Sequence, residues 1–382
     1  MEKEEIVSNF LEKGLIIDSE SLNYFLENPD QINVFFEKIK DIEKPPIIKN
    51  DFVKKILEIK KSEIKEIKKQ TLSKKTFSID DVSRILFERY EKIRSFFSYR
   101  MEIVNLISIN KINDKTKKFS LIVMVREIDD KNKTALVEDF TGETTVFFPN
   151  NLFNFIVQDE VLGLVCEKNE DRIEVLNVLW PDLPLKRKIS VLEEDVYCMF
   201  LSSKIFYEKK EQILKEISKL PFKYLYVFLF FNPKYKKEVE DFNKKLPKNT
   251  SLILINKNEI EIDGVQKFST PSFLTIDDKI KLLLVDGSLF SIYEKVLGEK
   301  TEEIMLNLLK KRHLNPKFTI EKAFMEDYFI VDPIPDIFVS FDFGSSGMIN
   351  YKGTTIISCG VLEQICWVLN LRTRESLKIS LT

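Results

Sequence analysis

The sequence predicts a multidomain α+β protein that consists of an N-terminal helical module, a small β-barrel and an α/β sandwich. Three observations support this prediction. The chain has 382 residues, enough for two or three domains of roughly 100 to 200 residues each. Hydrophobic residues make up 44% of it and charged residues 31%, so it can bury cores beneath a polar surface. The period of its apolar residues changes along the chain from helical to alternating and then to continuous runs.

The first 42 residues predict the helical module. Apolar residues recur at helical spacing, with interruptions at Ser19 and at residues 28–30. The apolar positions are Ile6, Phe10, Leu11, Leu22, Phe25, Leu26, Ile32, Phe35 and Phe36.

Residues 43–77 predict a lysine-rich linker. The segment EKPPIIKN precedes KKILEIKKSEIKEIKKQTLSKK, in which many charges surround few apolar residues. Glu58, Glu63 and Glu66 alternate with the lysines, which favours a solvated helix over a patch that binds nucleic acid. We therefore expect a tether with some helical structure.

A connecting helix is predicted for residues 78–100. Ser78 is a typical N-cap residue, because its side-chain oxygen accepts a hydrogen bond from a free N–H of the first turn. The predicted apolar stripe of this helix comprises Ile79, Val82, Ile85, Leu86 and Tyr90. A second domain follows it.

Residues 101–184 predict a five-stranded barrel of the OB-fold type. The runs FSLIVMVREI, KTALVEDF and TTVFFP have the two-residue period of strands. A helix-like NLFNFIVQ precedes the last two runs, EVLGLVCEK and DRIEVLNVLW, and five short strands with a helix before the fourth match this barrel. In the turn EDFTGET, Thr141 and Gly142 are expected to adopt the positive φ of a tight hairpin.

The composition of the predicted barrel leaves its role open. OB barrels often bind single strands through basic and aromatic side chains. These strands are mainly aliphatic, with mixed charge. A barrel that packs or binds a partner is therefore favoured over one that reads DNA.

Residues 185–382 predict the α/β sandwich. Their apolar runs are continuous, which is typical of strands that helices bury on both faces. The predicted strands are EDVYCMFLSS, KYLYVFLFF, SLILIN, KIKLLLVDG, DYFIVDPIPDIFVS and TTIISCG, with helices at residues 209–220, 236–245 and 302–311.

Composition excludes several classes of site. With 59 basic and 61 acidic side chains the net charge is -2, so no general attraction for nucleic acid is expected. Neither GxxxxGK nor GxGxxG occurs among only 10 glycines. The four cysteines form no CxxC pair, which predicts buried free thiols. The N-terminus is charged and no apolar run is long enough to span a bilayer, so an intracellular protein is expected.

The ends of the predicted strands are where an α/β sheet places a site. These ends are SSKIFY (202–207), FFNPKY (230–235), INKNEIE (255–261), VDGSLF (285–290) and VSFDFGSSG (339–347). None of them contains a histidine, and His313 is the only histidine in the chain. No Ser-His-Asp or Cys-His arrangement is therefore expected.

Three segments and the domain order resemble the small subunit of the archaeal D-family DNA polymerase, which is kin to the B subunits of eukaryotic replicative polymerases. LLKKRHLNP (308–316) is similar to that family's LKRRHLxP. VDPIPDIF (331–338) and YKGTTIISCGVLEQ (351–364) are similar to its VPDI and YRGxxxxNSGTxQxQ segments, and PDLP (181–184) follows the barrel. The resemblance covers roughly residues 78–382.

This resemblance implies that the sandwich is a calcineurin-like phosphoesterase domain whose metal site is lost. In the family, two metals bind to DxH, a second Asp, GNHD, a later His and GHxH. The matching positions here are Ser203, Ile205, an apolar or amide residue of 230–232, Asn258, Glu259, Ile260, Asp286 and Asp342 within 341–344. Because such a site needs several imidazole ligands and the chain has one histidine, no metal, no other cofactor and no phosphoesterase activity are expected.

The motif residues Lys311, Arg312, His313 and Leu314 are expected to be structural. In the family this segment ends a helix and contributes no metal ligand. His313 is predicted in the last helical turn, where positive charge complements the helix dipole. A contact with a partner or with DNA is the alternative.

The resemblance implies a non-catalytic accessory subunit of a D-family replicative DNA polymerase, cytoplasmic and associated with the nucleoid. It would form a heterodimer with the large catalytic subunit, reach DNA through that complex, and bind another replication factor through the N-terminal module. One alternative is a metal-dependent 3'-5' exonuclease that uses Glu259, Asp286 and Asp342. Another is a stand-alone single-strand binder that works through its barrel.

Overall fold

The computed structural model describes residues 3–29, 31–40, 44–57, 63–68, 77–255, 261–319 and 326–381. The chain forms two compact units, Met1–Ser62 and Glu63–Thr382. No helix in these described ranges is long and apolar enough to cross a membrane.

The first unit is a small helical module with one pair of short strands. Its elements are α1 (Lys3–Glu12), β1 (Ile16–Ile17), α2 (Ser19–Glu27), α3 (Gln31–Lys38), β2 (Ile47–Ile48) and α4 (Asn50–Leu57), and β1 pairs with β2 in parallel. The rings of Phe10, Phe25 and Phe35 pack against one another, with centroids 5.3 to 5.8 Å apart. These three phenylalanines belong to the predicted apolar set and form the centre of the core.

Helix α4 lies within the residues predicted as a linker. Val53 and Leu57, four residues apart, are buried in the same core as Phe10. The lysine-rich composition of this segment concealed its short apolar stripe. The helical unit therefore extends at least to Leu57.

The second unit begins with β3 (Ile64–Lys68) and α5 (Ile79–Ser95), which a 3-10 turn (Phe96–Tyr99) extends. The predicted cap is confirmed, because the Ser78 side chain accepts a hydrogen bond from Asp81 N at 3.1 Å. In return, the Asp81 carboxylate accepts a hydrogen bond from Ser78 N. Ile85 and Tyr90 are buried as predicted, but Ile79 is 86% exposed because it lies in the first turn, beyond the packed stretch of the helix.

The five predicted strands form a closed barrel. The elements are β4 (Lys118–Asp129), β5 (Thr134–Asp139), β6 (Gly142–Phe147), α6 (Asn150–Phe153), β7 (Val161–Asn169) and β8 (Arg172–Leu179). The strand order is β4-β5-β6-β8-β7, and β7 pairs again with β4. Aliphatic side chains fill the interior, and helix α5 packs outside through Tyr90 and Ile93.

The hairpin between β5 and β6 forms without the predicted positive φ. Asp139 pairs with Gly142, and neither Thr141 nor Gly142 is in the left-handed region. The Asp139 carboxylate accepts hydrogen bonds from the backbone N–H of Thr141 at 2.7 Å and from its hydroxyl at 2.6 Å. This Asx turn reverses the chain with ordinary backbone angles.

The rest of the second unit is a sandwich of two six-stranded sheets. Its strands are β9 (Val196–Leu201), β10 (Tyr224–Phe230), β11 (Thr250–Ile255), β12 (Gln266–Phe268), β13 (Ser272–Ile276), β14 (Ile280–Asp286), β15 (Ile337–Phe341), β16 (Gly347–Tyr351), β17 (Thr354–Cys359), β18 (Ile365–Asn370) and β19 (Ser376–Ser380). Its helices are α7 (Ser203–Ile217), α8 (Lys236–Lys245) and α9 (Thr301–Lys311). The sheet orders are β12-β11-β10-β9-β18-β19 and β16-β17-β15-β14-β13-β3.

Apolar side chains of both sheets pack between them, where the ring of Phe200 stacks on that of Phe228 and the ring of Phe230 stacks on that of Phe341. Helices α7 and α8 cover the outer face of the first sheet, and α9 covers the outer face of the second. Because the strands are covered on both faces, their sequences are continuous apolar runs. Helix α7 begins earlier than predicted because the Ser202 side chain caps its first turn. The four cysteines, at positions 166, 198, 359 and 366, are buried free thiols.

Strand β3 also differs from the predicted linker. It pairs antiparallel with β13 as the edge of the second sheet, and Ile64 is buried between the sheets. Lys68 Nζ donates a hydrogen bond to Tyr328 O at 2.9 Å, and Tyr328 Oη donates to Lys68 O at 2.6 Å. The charges of this segment face outward or pair, so its strand character depends on a partner more than 200 residues away.

Candidate functional site

Two of the predicted metal-site positions meet at the ends of strands from different sheets. Ser203 begins helix α7 after β9, and Asp342 follows β15 with φ +56°. The N–H of Ser203 donates to Asp342 Oδ1 at 2.7 Å, and the Ser203 hydroxyl donates to the other carboxylate oxygen. The carboxylate therefore lies at the N-terminus of α7, where free N–H groups and the helix dipole favour negative charge.

Asp342 nevertheless resists ionisation. Its pKa is raised to about 6, mainly by burial and to a smaller extent by the nearby charge of Asp286, while the hydrogen bonds from Ser203 oppose this rise. Asp286 ends β14 and accepts a hydrogen bond from Ser288 N at 2.9 Å, while its own N–H donates to Thr270 Oγ1 at 2.7 Å. Two carboxylates thus face the same end of the sandwich.

Only some of the positions that match the family's two-metal centre lie in the described residues. Across the described parts of the chain, no three histidine, cysteine, aspartate or glutamate side chains come together to hold a metal. Ile205 is 2% exposed and packs into the core beneath α7. The other matching positions, Asn258, Glu259 and Ile260, lie outside the described residues. The loss of the phosphoesterase ligands therefore stays a prediction.

The LLKKRHLNP segment holds the only histidine in a buried polar cluster. Helix α9 ends at Lys311, and Arg312 adopts a left-handed φ of +57°, so His313 lies beyond the helix. Asn315 N donates to His313 Nδ1 at 3.1 Å, so the proton of the neutral ring is on Nε2. His313 Nε2 lies 2.9 Å from Asp327 Oδ2, to which it donates.

Charge on His313 cannot complement the helix dipole as predicted. Burial lowers its pKa to about 4, although Asp327 opposes this effect. The ring is therefore neutral near pH 7. Burial disfavours the charge on Asp327 as well, but Arg89 and His313 outweigh it and lower the pKa of the carboxyl.

Arg89 links helix α5 to this cluster. Its Nε donates to Asp327 Oδ2, and its Nη1 donates to the backbone oxygens of Asp159 and Pro316. Sequence reasoning missed Arg89, although a signal existed. It lies four residues after Ile85 and four before Ile93, so an arginine interrupts the apolar stripe.

Lys311 reaches from α9 into the barrel. Its Nζ donates to Phe155 O at 2.7 Å and to Glu160 Oε2 at 2.6 Å, and lies 4.6 Å from the ring centroid of Trp180. Burial lowers the pKa of Lys311 and raises that of Glu160, while their mutual attraction opposes both changes. Glu160 also accepts from Val157 N, so the buried carboxylate has several donors.

Arg312 and Leu314 contact other parts of the second unit. Arg312 Nε donates to Val331 O at 2.9 Å, and the guanidinium lies 4.1 Å from the ring centroid of Phe96 at the end of α5. Leu314 is fully buried in the core beside α9. The four motif residues thus contact the barrel, helix α5 and the sandwich.

The other three family-like segments also supply polar contacts, which are largely buried. In PDLP, Asp182 accepts from Lys352 Nζ at 2.6 Å and from Tyr351 Oη at 3.0 Å, and both donors belong to the YKGTT segment. In VDPIPDIF, Asp336 accepts from Arg187 Nη2 at 2.5 Å and from Lys281 N at 2.9 Å. These segments therefore join the domain connection to the second sheet.

No protein-family model matches the sequence. The chain is similar to the DNA polymerase II small subunit of Thermoplasma acidophilum, with 21% identity over 344 residues. The aligned region covers 74% of this chain and 70% of that protein. This similarity supports the resemblance to D-family small subunits that the sequence segments predict.

Proposed function

We propose that this chain is a non-catalytic accessory subunit of a D-family replicative DNA polymerase that binds and stabilises the large catalytic subunit. The similarity to the DNA polymerase II small subunit of Thermoplasma acidophilum carries the proposal. The buried contacts of Lys311, Arg312 and His313 agree with it, because these residues belong to the segment that most resembles that family.

In this proposal the closed barrel is an OB fold and the sandwich is a calcineurin-like phosphoesterase domain that has lost its metals. The helix between the third and fourth barrel strands supports the first assignment. The hydrogen bonds from Ser203 to Asp342 support the second, because they occupy the carboxylate at a position where the family binds metal. Lys311, Arg312, His313 and Leu314 hold these two domains together.

The platform then binds the large subunit, which would supply nucleotidyl transfer and its metals. DNA is reached through the complex, and the module formed by Lys3–Glu12 and the following helices binds another replication factor. This division of labour needs no reaction centre in the small subunit.

Co-expression with a D-family large subunit tests the proposal. We expect the two chains to co-purify through size-exclusion chromatography. We also expect the complex to retain primer-extension activity for longer than the large subunit alone. Failure of the chains to associate at micromolar concentration would contradict the accessory role.

The same preparation tests the exonuclease alternative. We expect no manganese-stimulated 3'-5' degradation by the isolated chain and no change on Asp286→Ala or Asp342→Ala. Asp114→Ala is the matched control, since the Asp114 side chain is fully exposed on the barrel. If the isolated chain degrades DNA, and Asp286→Ala or Asp342→Ala abolishes this activity while Asp114→Ala does not, the chain is a carboxylate-based nuclease rather than a non-catalytic subunit.

A further inference from the structure

Two tyrosines stack on each other at the carboxyl edge of the first sheet. Tyr207 lies in the second turn of α7, which follows β9, and Tyr235 ends the 3-10 turn that follows β10. Because β9 and β10 are parallel neighbours, both connections leave the same edge of the sheet. The ring centroids are 4.3 Å apart with 19° between the planes, and Tyr207 is 45% exposed.

A lysine ammonium group lies near each ring of this pair. Lys210 Nζ lies 5.4 Å from the centroid of Tyr207, and Lys234 Nζ lies 4.6 Å from the centroid of Tyr235. Residues 204–210 contain three lysines and one glutamate, and residues 234–238 contain the same numbers. The surroundings are therefore cationic, although the whole chain has a net charge of -2.

A second exposed aromatic pair shows that stacking is not the distinguishing feature. Phe87 of α5 and Phe140 of the barrel hairpin stack with centroids 4.6 Å apart and 28° between the planes. Phe87 is 54% exposed. Glu138, Asp139 and Arg126 line the same groove as this pair, so its surroundings carry charges of both signs. Among the stacked aromatic pairs in the described part of the chain, only Tyr207 and Tyr235 have a lysine ammonium group near each ring.

We propose that Tyr207, Tyr235, Lys210 and Lys234 form a binding site for single-stranded nucleic acid. Exposed cation–π contacts are weaker than base–aromatic stacking, so a base displaces the ammonium group from a ring. The released lysines then pair with the phosphates on either side of the stacked base. The site gives the chain a contact with nucleic acid of its own, which goes beyond the proposed accessory function and does not depend on it.

Binding of a fluorescent oligo-dT to the full chain at low salt, followed by anisotropy, tests this site. We expect Tyr207→Ala and Tyr235→Ala each to weaken binding by about tenfold. Tyr207→Phe keeps the stacking face and is expected to bind as the unchanged protein does. Phe87→Ala removes an equally exposed ring from the other pair and is the matched control, with affinity expected within about twofold.

The lysines are tested by the salt dependence of the same binding. Lys210→Gln combined with Lys234→Gln is expected to reduce the slope of log affinity against log salt by about 1.4, or about 0.7 for each lost phosphate contact. Lys115→Gln combined with Lys131→Gln removes the same charge from exposed barrel loops and should leave the slope unchanged.

Three results would overturn the site. The first is no binding of oligo-dT by the full chain at low salt, and the second is equal losses in the tyrosine variants and in Phe87→Ala. The third is that an abasic strand, or a poly-glutamate peptide, binds as tightly as oligo-dT, since the surface would then recognise negative charge alone. A thermal melt of each variant confirms that it is folded, which is expected because these rings lie at the surface.

Discussion

Arg89 and Asp327 form a buried ion pair, with 2.5 Å between Nε of the arginine and Oδ2 of the carboxylate, although 238 positions separate them in the sequence. Their side chains are 3% and 4% exposed. The pair is completed by His313, which donates to the same carboxylate from the other side. Helix α5 is therefore attached to the segment after α9 by charge as well as by apolar packing.

Removing Arg89 should strongly destabilise the second unit. Arg89→Ala leaves Asp327 buried with an uncompensated charge, which costs about 3 to 5 kcal/mol of the free energy of unfolding. Urea denaturation measures the loss. Arg84→Ala on the same helix is the control, because the Arg84 side chain is 46% exposed and such a pair contributes about 1 kcal/mol or less. Similar losses in the two variants would contradict the buried pair.

His313 should make stability rise with pH between about 4 and 6.5. Its pKa falls from 6.5 to about 4 on folding, so in this range the unfolded chain binds a proton that the folded chain does not. Its contribution is complete above pH 6.5 and is lost as the pH falls to 4, by about 3 kcal/mol. Urea denaturation over this range should show that loss in the unchanged protein relative to His313→Gln.

The lowered pKa of His313 can be measured directly. Because it is the only histidine in the chain, its imidazole proton resonances need no assignment. NMR titration should give a midpoint well below 6. A midpoint near 6.5 would contradict the burial and the Nε2–H tautomer that donates to Asp327.

Asp342, in contrast to His313, should make stability fall as the pH rises from about 4 to 6. Its pKa rises from 3.8 to about 6 on folding, so its contribution to stability is complete below pH 3.8 and is lost as the pH rises through 6. Asp342→Asn is neutral at every pH and can still accept from Ser203. It should gain about 2 to 3 kcal/mol relative to the unchanged protein between pH 4 and pH 7. Asp114→Asn, a change at a fully exposed side chain, should show no such gain.

Strand β3 should be needed for the stability of the second unit. A chain that begins at Glu63 keeps this strand, whereas one that begins at Ser78 loses the burial of Ile64 and uncovers the edge of β13. We expect the shorter chain to be less stable by about 2 kcal/mol or more. Thermal unfolding of the two chains side by side decides this, and equal melting temperatures would contradict a structural role for Ile64–Lys68.

The sequence alone was sufficient where structure depends on neighbouring residues. Ser78 caps α5 as its own segment predicts, and the structure adds Asp81 as the second residue of a capping box. The two-residue period predicted all five barrel strands, and continuous apolar runs predicted the doubly covered sheets. In each case the repeat itself reports which side of the element is buried.

Tertiary structure alone decided the contacts between distant segments. Ile64 is in a strand because β13 offers it a free edge, and its lysine-rich neighbours conceal this in the sequence. Asp342 has a raised pKa because folding removes it from water and, as a smaller effect, brings it near Asp286. Arg89 is buried because Asp327 lies opposite it, so a charge in an apolar stripe becomes tolerable only with its partner in place. Local patterns determined the elements of this protein, and the cost of burying unpaired polar groups determined how those elements meet.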